Sequence, residues 1–275
     1  MNAWKKKLAI HPNFIAVLVR KEWAELYRNT MLLGTVFFMP LLFAAIPLIM
    51  LWSMGADMGD VVGDGMGAFN EAVQGTCSGL SSGDCTLAIF LAQFNLMFMF
   101  IPIILPSTIL PYAVVGEKTQ RSLEPLLATP ISSVDLLLAK AFSAIIPASM
   151  ATWLSFGLYL SIAWFLAPNK AIVHTLFQWH WLFAVVIVGP LLALFTANLT
   201  LMVSSRTTEP RVAQQVAGLV VLPLVLLLIG QMSGMLLLTP LLIFLLGVSV
   251  AILDIIFAYL AVQIFDRETI LTRWT

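Results

Sequence analysis

Residues 87–115, LAIFLAQFNLMFMFIPIILPSTILPYAVV, run for 29 positions without one charged side chain. A helix needs roughly 20 apolar residues to cross a bilayer, where every backbone N–H and C=O must be satisfied within the segment itself. This stretch exceeds that length, so tilt or kinking is expected of it. Comparable blocks recur near 31–54, 136–166, 181–203, 212–238 and 241–265, giving about six spans. Only Leu238, Thr239 and Pro240 separate the last two, so a re-entrant turn starting near Gly230 stands as an alternative to two full crossings. The expected fold is all-α and polytopic, a single membrane domain over 1–275.

Composition points the same way. Of the 275 residues 60% are hydrophobic and 10% charged, against roughly 25% charged in soluble domains, whose surface must face water. A soluble enzyme is excluded on this ground. The 14 basic and 14 acidic residues cancel, but their distribution does not. Thirteen of the basic residues lie in 1–28, 116–140, 204–211 and 266–275, and Lys170 stands alone on the other side. The positive-inside rule therefore puts both termini in the cytoplasm and 55–86 outside a cell membrane. Trp52, Trp164, Trp179 and Trp181 fall at outer span ends and Trp4, Trp23 and Trp274 near the inner face, as aromatic belts do. The apolar run 31–54 is longer than the roughly 7–15 residues of a signal-peptide core and is read as a retained first span.

The stretches between spans are too short for cores of their own. In the first of them Ile15, Val19, Trp23, Leu26 and Tyr27 share one helical face, with Arg20, Lys21, Glu25 and Arg28 opposite. Such a helix lies in the headgroup plane, either as a topology anchor or as a lever to a cytoplasmic partner. The outer loop carries both cysteines, Cys77 and Cys85, close together on the oxidising side. A disulfide is the favoured reading over free thiols or a metal site.

The inner loop between spans two and three reads EKTQRSLEPLLATPISSVDLLLAK, residues 117–140. Leu123, Leu126 and Leu127 are spaced for one helical face, and Thr129-Pro130 stops the run. Ser132 with Asp135 reads as a capping box opening span three. By these features alone residues 117–135 are a short amphipathic segment on the inner, cytoplasmic face, an ordinary connector or a docking helix.

The same stretch resembles the signature loop of type-2 ATP-binding-cassette (ABC-2) exporter permeases: an acidic-basic start, Leu-Glu-x-Leu-Leu-x-Thr-Pro, then Ser-x-x-(Glu/Asp)-Leu-Leu-x-x-Lys. Arg20-Lys21-Glu22 before span one and Ser204–Gln215 before span five are similar to further family segments, so the resemblance covers nearly the whole chain. Many relatives have Gly where Ser122 stands. The resemblance implies a transport subunit, not an enzyme, forming the pathway of an ATP-driven exporter. It implies a second permease subunit, identical or not, and two copies of a cytoplasmic ATPase that bind ATP and Mg. Glu117, Arg121, Leu123, Glu124, Leu126 and Leu127 would then make the ATPase contact. No GxxxxGK[ST] phosphate loop occurs here, so no cofactor is expected on this chain. No nucleic-acid partner is expected either.

Asp254 sits mid-way along span six in VAILDIIFAYL. An unpaired ionised acid there costs several kcal/mol, so it is read as a pathway-lining group or a structural acid. Gly230 and Gly234 form a GxxxG pattern, which allows close helix approach or marks the break of a re-entrant turn. No metal site or nucleophile–base constellation is apparent. The rival function, an ATP-independent channel or secondary transporter, calls for several intramembrane ionisable groups or paired broken helices.

The topology is directly testable. A single cysteine placed at Ser81, in a background lacking Cys77 and Cys85, is expected to react with an impermeant maleimide on intact cells. Reaction only after permeabilisation would invert the assignment.

Overall fold

The computed structural model describes residues 12–54, 82–119, 133–167, 169–233 and 239–264. They are helical with no strand among them. Among the described residues six helices are long and apolar enough to cross a membrane: Thr30–Ser53, Leu87–Lys118, Val134–Leu166, Trp179–Arg206, Pro210–Gln231 and Pro240–Gln263, here spans one to six. The protein is an all-α polytopic membrane protein, and the expected spans fall within three residues of these bounds, except that span five, expected to reach 238, ends at Gln231.

Span two is the axis of the bundle. In its most apolar stretch 72% of residues are buried, against 17% for span five and 22% for span six. Fully buried Phe98, Ile101, Leu105 and Leu110 face neighbours all round. Spans five and six instead expose Leu222, Leu226, Phe244, Ile252 and Ile255 on their outer faces. A helix that is apolar all round and buried belongs at a core, and an apolar exposed face belongs against lipid or another subunit.

Local backbone chemistry explains how the spans bend. Span two is built from α3 (Ser82–Phe94), a 3₁₀ segment (Asn95–Phe100) and α4 (Ile101–Thr119). The tightened segment runs up to Pro102, which cannot donate a backbone hydrogen bond; i→i+3 bonding lets the preceding carbonyls find a donor one residue earlier. Buried Tyr159 of span three adds a hydroxyl donor to the Leu91 carbonyl at 3.4 Å.

Span four shows the opposite distortion. Between α7 (Trp179–Phe183) and α8 (Gly189–Arg206) it widens to a π segment, Ala184–Val188, and Gly189 N–H reaches back to Ala184 O. The next donor in that register would be residue 190, which is proline. The Val185 carbonyl so orphaned accepts from Trp153 Nε1 of span three at 3.1 Å. The indole replaces the missing N–H, as bilayer burial of a carbonyl requires.

Around these spans lie α1 (Pro12–Arg28), α5 (Ser133–Leu166, span three) and α6 (Lys170–Leu176). Span five comprises α9 (Pro210–Gly218) and α10 (Val221–Met232), and span six is α11 (Pro240–Ile264). Helix α1 packs at one end of the bundle against span three, through Leu18 on Leu136 and Ala139. At the opposite end α6 is tied to α3 by Asn169 Nδ2 donating to Asp84 Oδ2 at 3.2 Å.

Three details differ from the sequence reading. Tyr27 is 66% exposed, while Leu18 and Glu22 are buried, so the packed face of α1 is rotated from the expected one. Trp181 is buried in the bundle and not in an interfacial belt. The break in span five falls at Leu219–Val220, and α10 continues through Gly230 to Met232; 234–238 lie outside the described residues.

Gly247 sits where span six crosses span four. A Cβ built on it meets Val188 Cγ2 at 3.1 Å and Phe183 Cε1 at 3.6 Å, whereas one on Gly157 meets nothing within 4 Å. Gly247→Val is therefore expected to force the two spans apart at a cost of about 1–3 kcal/mol. Gly157→Ala is expected to hold or raise stability, since it removes helix-opposing glycine entropy. Thermal unfolding in detergent distinguishes the two, and equal melting temperatures would reject the close contact.

Candidate functional site

At the α1 end of the bundle, a charged side chain is buried inside an apolar run. Lys140 stands in LLLAKAF of span three and its side chain is 2% exposed. An ammonium cannot be taken out of water without hydrogen-bonded counter-charges. Lys140 Nζ has three protons to place. It donates to Glu22 Oε1 at 2.9 Å and to the Ala113 carbonyl at 3.1 Å, and forms an ion pair with Glu117 Oε2 at 2.7 Å.

The carboxylates come from two other elements. Glu22 is contributed by α1 and Glu117 by the last turns of span two, and their side chains are 7% and 8% exposed. Lys21, on the rim, also hydrogen-bonds Glu117 and lies 3.3 Å from the exposed Glu25. Two lysines thus face two buried glutamates, and the inner part of the cluster is neutral. Trp23 Nε1 adds a neutral bond to the Ser143 carbonyl at 3.0 Å, fixing α1 to span three a turn further on.

Burial by itself would lower the Lys21 ammonium, but the hydrogen bond and charge of Glu117, supported by Glu22 and Glu25, raise it above the usual lysine range. Its stabilising contribution is complete below the unfolded value of 10.5 and is lost only as pH climbs through the higher folded one. Burial, reinforced by the Glu117 carboxylate, raises Glu22 above the usual carboxylate range against the pull of Lys140. Two carboxylates share one site, and the lysines let both stay there.

The neighbouring residue works in the other direction. Lys118 Nζ donates to the Ser205 and Thr207 carbonyls, each at 3.4 Å, at the C-terminus of span four. A cation there satisfies orphan carbonyls and complements the helix dipole. The end of span two is therefore held on one side to α1 and span three, and on the other to span four. A cleft of about 110 Å³, lined by Glu22, Asn29, Tyr112 and Ser143, runs beside the ion pairs.

Of the expected site residues, Glu117 lies in this cluster. Arg121, Leu123, Glu124, Leu126 and Leu127 lie outside the described residues, as does Ser132 of the expected capping box. Asp254 is buried in span six beside Asn198 of span four. Cys85 is disulfide-bonded, and Cys77 lies outside the described residues. Glu22 and Lys140 were not expected as a pair. Each belongs to a family-like motif, but 118 positions separate them, and no local spacing rule connects them.

The architecture defines a class: a polytopic helical membrane protein whose helices meet at one end in an ion-paired junction. The chain belongs to the family described as ABC-2 family transporter protein, whose profile matches residues 16–262. It is thus a permease of the ABC transporter type, a membrane subunit for transport. Comparison with curated proteins found no match.

Removal of Lys140 leaves two buried carboxylates facing each other. Lys140→Met is expected to destabilise the protein by about 3–5 kcal/mol, the cost of an uncompensated buried charge. Adding Glu22→Gln and Glu117→Gln is expected to recover most of that loss. Unfolding followed in detergent checks both, and a triple variant no more stable than the single one would show that the carboxylates are not the cause.

Proposed function

We propose that this permease is driven by a separate ATPase subunit, which acts on the segment between Glu117 and Lys140. What supports this reading is the position of the ion cluster. Glu117 precedes residues 120–132 and Lys140 follows them, and both bond into one neutral junction with α1. A push on the intervening segment would reach spans two and three together, and Lys118 would carry it to span four. Packed elements with two discrete arrangements transmit such displacements; isolated loops do not.

In this reading two such membrane subunits, identical or different, enclose the pathway, and two ATPases carry ATP and Mg. The α1 end faces the cytoplasm together with both chain termini, and the membrane is the cell membrane. Leu123, Leu126 and Leu127 form the apolar face seated on the ATPase, with Glu117, Arg121 and Glu124 setting its register through charge pairs. Cys77 and Cys85 staple the loop on the far side.

The test separates this exporter from an ATP-independent channel or secondary transporter. Each fully buried leucine contributes roughly 1.5–3 kcal/mol, so Leu123→Ser/Leu127→Ser is expected to weaken ATPase association about a hundredfold or more. The variant should insert normally yet lose ATPase in pull-downs and lose substrate-stimulated hydrolysis. Transport that persists with no ATPase bound would overturn the proposal.

A further inference from the structure

The ion cluster holds more acid than base. With Glu25 on the rim, three carboxylates face the ammoniums of Lys21 and Lys140, and one negative charge is left over. The lysines are not shared evenly. Glu117 lies between them, with Oε1 on Lys21 and Oε2 on Lys140. Glu22 has one hydrogen bond, from Lys140 to Oε1, and Lys21 stands 3.7 Å from that same oxygen. Its Oε2 bonds no described residue. Of the two buried carboxylates, Glu22 is thus the less well compensated.

Glu22 also has a route to water. It lines the cleft of about 110 Å³, together with Glu25, Asn29, Tyr112 and Ser143. The Glu25 side chain is 53% exposed, so the cleft leads to the surface. A space of this size with polar walls has room for several waters. The titratable groups facing Glu22 are Lys21 and Glu25 of α1, Glu117 and Tyr112 of span two, and Lys140 of span three. A buried carboxylate beside a second one is relieved by a proton, because like charges in one site disfavour each other.

We propose that Glu22 is a proton-binding site, filled through this cleft from the water at the α1 end. The proton passes from water to Glu22 Oε2 and leaves by the same way, and no other bond is made or broken. With it bound, two carboxylates face two ammoniums and the cluster with its rim is neutral. Glu117 becomes the one carboxylate partner of Lys140, while Glu22 Oε1 can still accept its hydrogen bond. Helix α1 therefore stays seated in both states, and the proton sets the charge and strength of its attachment. Because Glu22 is raised above the usual carboxylate range by burial and by Glu117, the folded chain takes up this proton before the unfolded one does. The stability it contributes is complete below the ordinary value of 4.5 and is lost as pH climbs through the higher folded one. Mild acid tightens the junction. None of this depends on ATPase coupling.

Infrared difference spectroscopy on the full chain in phosphatidylcholine nanodiscs reads protonation directly. A neutral carboxyl gains a C=O stretch as pH is lowered from mildly alkaline to mildly acidic. Wild-type protein grown on isotope-labelled glutamate is expected to show this band, displaced by the label, and Glu22→Gln is expected to lose it. Glu25→Gln, on the exposed rim, is expected to keep it. In thermal unfolding, the wild-type midpoint is expected to rise relative to that of Glu22→Gln as pH falls. Labelled wild-type protein without the band would overturn the proposal, whatever the variants do. A band that survives Glu22→Gln would overturn it too, as would a gap between the two melting midpoints that does not change with pH.

Discussion

A buried ammonium dictates its surroundings more strictly than any apolar side chain does. Lys140 has to find acceptors and counter-charge in a place with almost no water, and it finds them in hydrogen bonds to Glu22 of α1 and the Ala113 carbonyl, and in an ion pair with Glu117 of span two. The attachment of α1 to the bundle depends on that arrangement. Its apolar contact with span three is small, three buried residues, and the ion pairs and the Trp23 bond supply the direction that apolar contact lacks. Hydrophobic burial is non-directional, whereas a lysine between two carboxylates specifies which turn of one helix faces which turn of another. Apolar groups of equal volume could match the stability; what the ion pairs add is register, the best-attested use of buried charge.

The rest of the bundle is governed by carbonyl satisfaction. Prolines at 102 and 190 each remove a donor, and the chain answers with a 3₁₀ segment in one case and a π segment with a borrowed indole in the other. Distorted stretches in spans two and four are therefore anchored, not loose, and both anchors come from span three through Tyr159 and Trp153. Gly247 holds spans four and six close together. Spans five and six, at 17% and 22%, are the least buried members of the bundle.

Much of this was legible in the sequence because lipid imposes a simple rule on it. Twenty or more apolar residues without charge read as a span, and all six emerged from that rule, with close bounds except at the end of span five. The family followed from motifs in order along the chain. The ion cluster did not emerge, because charges in a membrane sequence are read first as topology signals, and Lys140 was counted among thirteen such residues. The packed face of α1 was misjudged for a related reason. Glu22 looks like a solvent-facing residue until its partner on span three is known, and Tyr27 looks apolar although its ring ends up exposed. Pro190 was visible, but a π segment depends on which neighbour can serve the freed carbonyl, and that is a tertiary fact.

The order of residues along the chain has a consequence for synthesis of the protein. Lys21 and Glu22 leave the ribosome first, already side by side, and Glu117 follows at the end of span two. Lys140 comes last, within the second turn of span three. Its counter-charges are thus waiting at the membrane boundary when it arrives, and the most expensive group to desolvate is never buried ahead of its partners. The full set of Lys140 contacts exists only once α1 and span two are in position. In chain order the junction is completed by the last of its own charges, Lys140.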